Sequence, residues 1–166
     1  MYREIVTKAV IAKGKIADSG DIVVSINNDV SKVLGCWVVN HYYVSSFENN
    51  KIYAKGKYDL HIWYGYNNDS DTGVYKQTID YIQEFDLTVK NGESISSNNE
   101  FNIACVKYPT CSGLSINDDG KIVVKVDKEL SLDVIGETKL KVQVDNINDG
   151  WDSGIDSINT DYLNRQ

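Results

Sequence analysis

The sequence predicts an all-β protein, an antiparallel β-sandwich, and three observations support that prediction. β-branched and aromatic residues are frequent, while proline occurs once and turn-forming clusters recur at short intervals. Apolar and polar positions alternate almost without a break from Ile52 to Tyr64, as in a strand with one buried face. The apolar share of 42% is enough for a real core. Together these features favour packed sheets joined by polar turns.

The first half of the chain is predicted to contain four strands. The first covers residues 4–13, with a short helical turn at the very start as the alternative, and a short second strand covers 21–27. Strands at 34–45 and 51–66 form the clearest hairpin, closed around Glu48, Asn49 and Asn50. This hairpin therefore anchors the prediction for the whole fold.

After a polar loop at 67–71, residues 73–90 are predicted to form one long strand or two collinear strands. The polar stretch near 91–100 is the expected position of any division into two subdomains. Residues 1–145 are expected to form the sandwich domain, and 146–166 a flexible polar and acidic tail.

The last elements are predicted from shorter patterns. Residues 101–108 form a short helix or a strand, and Pro109 is expected to end it. Residues 121–135 and 138–145 are predicted to form a final hairpin that closes at 136–137.

Two segments resemble each other at one fixed offset. KIYAKGKYDLHIWYG from Lys51 lies over KIVVKVDKELSLDVIG from Lys121, with identity at Lys51/Lys121, Ile52/Ile122, Lys55/Lys125 and Leu60/Leu130. The match indicates two related β-units, although two amphipathic strands can match this well by alternation alone.

Charge and hydropathy exclude several classes of partner. The net charge of −7 argues against nucleic acid, whose phosphates need a cationic surface. No apolar run approaches the ~18 residues of a membrane span. The first residues also lack the apolar core of a signal peptide, so a cytosolic location in the producing cell is expected.

The cysteines Cys36, Cys105 and Cys111 form an odd set without zinc-site spacing. Buried or partly buried thiols are the simplest interpretation. A local Cys105–Cys111 bridge and intermolecular cross-linking of any of the three are the alternatives.

No residue pattern predicts catalysis, a cofactor or a metal site. Nucleotide-binding glycine loops and serine-hydrolase motifs are absent from the sequence. Cys36 and His41 are close in sequence, but their odd separation on an extended strand predicts opposite faces. The acidic loops at 67–71 and 117–119 lack the EF-hand ligand register and are predicted to be solvated turns.

An aromatic face is the strongest candidate for function. It is predicted to contain Trp37, Tyr43, Tyr53, His61 and Trp63. Three interpretations stay open, namely a core layer between two packed sheets, a protein–protein interface, and a sugar-stacking platform. The excess of tyrosine over phenylalanine, 11 against 3, favours an interface.

Five strings are distinctive, namely YREIVTKAVIAKGK, VLGCWVVNHYY, KGKYDLHIWYGYNNDSDT, YPTC and KIVVKV with LDVIGETKLKV. From residue 2 to about 144, their order and spacing resemble the outer spore-coat morphogenetic protein (CotE) family of Bacillus and Clostridium. The LGCW-x-x-NH and YD-x-x-x-WY-x-Y strings are the most specific. Family members carry a long acidic C-terminal region, whereas residues 146–166 are short and only mildly acidic.

The resemblance implies a non-enzymatic scaffold without cofactors. It implies synthesis in the mother-cell cytoplasm during sporulation and assembly into the spore coat. The implied partners are the chain itself, other spore-coat proteins and an inner-coat ATPase scaffold that anchors the layer. A carbohydrate-binding β-sandwich module is the alternative, and a thiol-dependent enzyme is a third hypothesis.

Overall fold

The structure, a computed structural model, describes residues 1–144 and confirms the all-β prediction. Its strands are β1 (Tyr2–Val24), β2 (Val30–Glu48), β3 (Lys51–Tyr66), β4 (Asp71–Glu84), β5 (Asp86–Val89), β6 (Glu100–Ile116) and β7 (Ile122–Gln143). They form a four-stranded sheet in the order β5-β1-β7-β6 and a three-stranded sheet in the order β2-β3-β4. No helix occurs within residues 1–144.

The described chain divides into two compact units. Met1–Lys8 and the described residues from Glu137 form one unit, in which the Val144 N–H donates a hydrogen bond of 2.9 Å to the Met1 carbonyl. Ala9–Gly136 form the other unit, which contains both hydrophobic clusters described below.

The two sheets pack against each other through the inner faces of β3 and β7. Ile52 and Ala54, near the start of β3, share one buried cluster with the end of β7 at residues 130–134. Leu60 and Ile62 share the second cluster with the start of β7 at residues 122–126. Each buried Leu or Ile contributes about 1.5–3 kcal/mol to folding. The alternation that predicted a buried face in β3 therefore specifies the centre of the core.

The predicted hairpin is present as β2 and β3. Glu48 pairs with Lys51, so Asn49 and Asn50 form a two-residue turn. Their φ angles of 51° and 60° are the left-handed values of a type I′ turn, which asparagine tolerates better than other non-glycine residues. Local turn chemistry thus fixes the register of the pair from the turn back to Tyr42.

Two predicted strand arrangements are wrong in opposite ways, because buried side chains decide where strands continue and where they break. The segments predicted at 4–13 and 21–27 form one continuous strand, in which Ile16 is buried and continues the inner face. The segment 73–90 breaks at Phe85, whose side chain is buried in the core. As a result β4 and β5 lie in different sheets and are not collinear.

Pro109 does not end its element, contrary to the prediction. β6 is a strand, not a helix, and it runs from Glu100 to Ile116. Pro109 lies at a register shift between Lys107 and Thr110, on a strand at the edge of its sheet. A proline without an N–H is tolerated at such a bulge because no ladder hydrogen bond is required there.

The predicted hairpin at 136–137 is also wrong, since β7 continues to Gln143. A Cβ atom on Gly136 would come within 2.7 Å of the Asn99 side-chain nitrogen and 2.8 Å of Ile11 Cδ1. Gly136 is therefore needed for close packing and not for a turn.

Candidate functional site

The outer face of the three-stranded sheet exposes large apolar side chains, and we call it the aromatic face. Trp37 pairs with His61 on β3, which pairs with Lys76 on β4. In the neighbouring row Trp63 pairs with Val74. The exposed fractions are 42% for Trp37, 44% for Trp63 and 49% for Val74. These residues form an exposed apolar group rather than single surface residues.

The rest of the aromatic face alternates apolar and charged groups. Its other outward members include Gly35, Val39, Tyr42, Val44, Ser46, Tyr53, Lys55, Lys57, Asp59, Thr78, Asp80, Ile82 and Glu84. Asp59 accepts hydrogen bonds from Asn40 at 2.8 Å and Thr78 at 2.7 Å. These two hydrogen bonds lower the pKa of the Asp59 carboxyl group. The Asp59 carboxylate is thus already bonded to its neighbours.

The outer face of the four-stranded sheet, which we call the polar face, is different in kind. Its side chains include Lys13, Lys15, Lys125, Asp127, Glu129 and Asp133. Lys15 lies 3.2 Å from Glu129, and the Ser19 hydroxyl donates to Asp127 over 2.5 Å. Asp127 and Glu129 are thus paired, and this face exposes aliphatic side chains such as Val23 rather than indoles.

Four of the five predicted interface residues lie on the aromatic face, and Tyr43 does not. A bulge between Val39 and Tyr42 adds one residue to β2, with Asn40 at a φ of 58°. After the bulge Tyr43 pairs with Gly56 on the inner side, and Tyr42 takes the outward position. The prediction failed for Tyr43 because strict alternation ignores the bulge.

A shallow pocket of about 210 Å³ lies on the aromatic face. It is lined by Asp59, His61, Lys76, Gln77 and Thr78. The Trp37 ring meets the His61 ring edge-on, with 5.6 Å between centroids. An aromatic ring therefore stands beside a group of polar side chains.

The structure also contains a buried polar cluster that the sequence analysis did not anticipate. Lys128 is only 5% exposed, and its ammonium lies 2.7 Å from the Asp18 carboxylate and 4.5 Å from the centroid of the Tyr81 ring. Burial alone would raise the pKa of Asp18, but hydrogen bonds from Lys128 and Gln83 outweigh it and the pKa is lowered. The sequence did contain one signal of this cluster, Lys128 itself. It is a lysine at a position where the alternation in β7 predicts a buried apolar residue.

His41 connects this cluster to Cys105 and not to Cys36, the cysteine nearest to it in sequence. The bulge places His41 and Cys36 both on inner-facing positions, so the predicted opposite faces are wrong. His41 Nε2 lies 2.7 Å from the Tyr81 hydroxyl, and Nδ1 lies 4.0 Å from Cys105 Sγ. Burial and the nearby Lys128 lower the pKa of His41, and burial raises the pKa of Cys105. Both shifts oppose the thiolate–imidazolium pair that a cysteine nucleophile requires.

All three cysteines are free thiols and partly buried. Within residues 1–144, no three His, Cys, Asp or Glu side chains are grouped closely enough to hold a metal ion. The same residues contain no helix that could cross a membrane.

Comparison with known proteins gives one match. A family model described as outer spore coat protein E (CotE) matches residues 1–164. The comparisons with curated proteins and with solved structures found no match.

Proposed function

The chain belongs to the outer spore coat protein E (CotE) family, and from this premise we propose that it is a non-catalytic scaffold that associates with itself through the aromatic face. Members of this family are outer spore coat proteins, so a structural role in the spore coat follows from membership. Self-association and the choice of face are our proposal. The observation that carries it is the difference between the two outer faces of the sandwich.

The composition of the aromatic face supports an interface. Tryptophan is among the residues that contribute most binding energy when buried between proteins. Burying an exposed apolar surface gains roughly 25 cal/mol for each Å² removed from water. Because Asp59 is already hydrogen-bonded, covering it does not leave an unpaired carboxylate. The polar face offers neither the aromatic residues nor a comparable apolar area.

The edge strand β4 supports extension of the same surface from one copy to the next. β4 is the last strand of the order β2-β3-β4, so only one of its sides pairs within the described chain. A second copy that adds a strand there would continue the sheet. Continuing the sheet would also continue the aromatic face along the assembly.

Coat-family membership also supports contact with other spore-coat proteins. Recruitment of specific clients, synthesis in the mother-cell cytoplasm and anchoring through an inner-coat ATPase scaffold stay predictions from the family resemblance. The predicted tail at 146–166 lies outside the described residues.

Sedimentation velocity over a concentration series tests self-association and its surface. Wild-type protein should form species larger than a monomer as concentration rises. A Trp37→Ser/Trp63→Ser variant should remain smaller at the same concentrations, because it loses both exposed indoles. The matched control is Lys125→Ser/Asp133→Ser on the polar face, which like the first variant leaves the net charge unchanged. Equal assembly of both variants would contradict the proposal.

The pocket beside Trp37 favours carbohydrate binding as the second candidate function. Sugars stack on aromatic rings and accept hydrogen bonds from polar side chains such as those of Lys76 and Gln77. A glycan array with wild-type protein and a Gln77→Ala variant tests this alternative. Binding that the variant loses would support it, and an array without any signal would exclude it.

A further inference from the structure

The edge strands β2 and β6 belong to different sheets and lie against each other along a seam. Near one end of the seam the Phe47 and Phe101 rings stack with 5.6 Å between centroids. Further along, His41 meets Cys105 at 4.0 Å and the Tyr108 ring at 6.3 Å. Residue numbers rise along β6 while those of their partners on β2 fall, so the two strands run antiparallel at the seam.

Continuing this order brings Cys36 opposite Cys111. Cys36 pairs with Ile62 on β3 and Cys111 pairs with Val126 on β7, and both thiols pack against the same buried cluster. Cys111 is close enough to Cys36 to contribute to the raised pKa of the Cys36 thiol. The Cys111 thiol also donates a hydrogen bond of 3.5 Å to the Gly113 carbonyl.

The third cysteine is excluded from this pair by distance. Cys105 and Cys111 lie on the same extended strand, roughly 20 Å apart at about 3.3 Å per residue. Disulfides need Cα atoms within about 7 Å of each other. The local Cys105–Cys111 bridge is therefore incompatible with the extended strand, whereas Cys36 and Cys111 lie opposite each other at the seam and pack against one cluster.

We propose that Cys36 and Cys111 form an intrachain disulfide when the protein meets a low-molecular-weight disulfide such as oxidised glutathione. One cysteine thiolate attacks the glutathione disulfide, which forms a mixed disulfide and releases one reduced glutathione as its thiolate. The second cysteine thiolate attacks the protein sulfur of the mixed disulfide and releases the second glutathione. The protein loses two protons and two electrons, and the oxidant gains them and becomes two molecules of reduced glutathione.

The bond would tie the two sheets together at their open edge. It closes a long loop between β2 and β6, which reduces the entropy of the unfolded chain. The expected effect is a rise of roughly 10 °C in the midpoint of thermal unfolding. Burial and the neighbouring Cys111 raise the pKa of Cys36 to about 12, so the reaction should be slow at neutral pH and faster at higher pH.

The test uses the full chain with a Cys105→Ser substitution, which removes only the thiol outside the pair. The protein is incubated with oxidised glutathione at alkaline pH, alkylated, and digested without reduction for mass spectrometry. We expect a linked peptide pair containing Cys36 and Cys111, no alkylated thiol, and a monomer on a non-reducing gel. Retained free thiols, a stable glutathione adduct, or disulfide-linked dimers would each overturn the proposal.

Two further variants, each with a single thiol, are controls that cannot form the intrachain disulfide. Cys36→Ser and Cys111→Ser, each in the Cys105→Ser background, should show no rise in thermal midpoint after oxidation. If either single-thiol protein gains as much stability as the two-thiol protein, the gain does not come from the intrachain bond and the proposal fails.

Discussion

The two sheets have similar inner faces and opposite outer faces. On the inner side β3 and β7 both alternate buried residues, from Ile52 to Tyr64 and from Ile122 to Val134. On the outer side one sheet exposes Trp37 and Trp63, while the other exposes paired charges. The inner similarity is what folding requires. The difference between the two outer faces does not contribute to core packing. We therefore look to function, not folding, for its cause.

The inner faces differ in charge at one position, in the middle of the predicted repeat. Tyr58 on β3 corresponds to Lys128 on β7, and both are buried. Burial raises the pKa of Tyr58 to about 12, so its hydroxyl stays neutral. Lys128 instead pairs with Asp18. The core therefore contains an apolar cluster toward each end and a polar cluster near the centre.

The largest expected effect is a difference in folding between aspartate substitutions on the two faces of β3. Leu60→Asp should prevent folding, at a cost above about 4 kcal/mol, because it buries an unpaired charge in the core. Trp63→Asp places the same side chain on the exposed side of the strand and should leave the circular dichroism spectrum β-like. Thermal unfolding followed by circular dichroism checks both variants. Unfolding of Trp63→Asp would mean that the aromatic face belongs to the core.

The next effect concerns the polar centre of the core. Asp18→Asn should lower the free energy of unfolding by about 2 kcal/mol, because the buried Lys128 loses its carboxylate partner. The cost stays below the 3–5 kcal/mol typical of fully buried pairs since Asp18 is 34% exposed. Adding Lys128→Met should recover most of the loss. Urea unfolding of both variants decides this, and a double variant no better than the single would contradict a charge-pairing role.

A smaller effect tests the packing under the bulge. A Cβ atom on Gly56 would lie 2.4 Å from the Tyr81 ring and 2.7 Å from the Tyr42 carbonyl oxygen. Gly56→Ala should therefore cost roughly 1–3 kcal/mol through overpacking. The matched control is Gly35→Ala, because a Cβ there meets nothing within 4 Å. Equal stability of the two variants in urea unfolding would show that Tyr81 moves aside freely.

The smallest effect is on pH dependence. The pKa of His41 is lowered in the folded protein, so the unfolded chain binds more protons around its ordinary pKa of about 6.5. Stability is therefore complete above that pH and declines as pH falls toward 5. A His41→Gln variant should show a shallower decline in urea midpoint over this range. An unchanged slope would remove His41 as the titrating group.

Alternation and turn chemistry made much of the fold predictable. The pattern from Ile52 to Tyr64 identified a core strand, and Asn49 with Asn50 identified the hairpin turn. The bulge at Asn40 was not predictable, because one inserted residue leaves no mark on composition. Tyr43 was misplaced for that reason.

The remaining errors share a cause in tertiary context. Pro109 and Gly136 have local preferences that predict a break in a strand, yet both lie within continuous strands. A bulge accommodates Pro109, and close packing requires Gly136. The polar cluster depended on Asp18 and Lys128 meeting across strands far apart in sequence. Such pairings cannot be read from the period of a single strand.

Lysine footprinting of the assembled protein tests the central claim, that the aromatic face and not the polar face is covered in the assembly. Amine labelling followed by mass spectrometry compares assembled protein with dilute monomer. Lys57 and Lys76 lie on the aromatic face, and Lys13 and Lys125 lie on the polar face, all exposed in the single chain. We predict protection of Lys57 and Lys76 in the assembly and unchanged labelling of Lys13 and Lys125. Protection of Lys13 and Lys125 with full labelling of Lys57 and Lys76 would contradict the account.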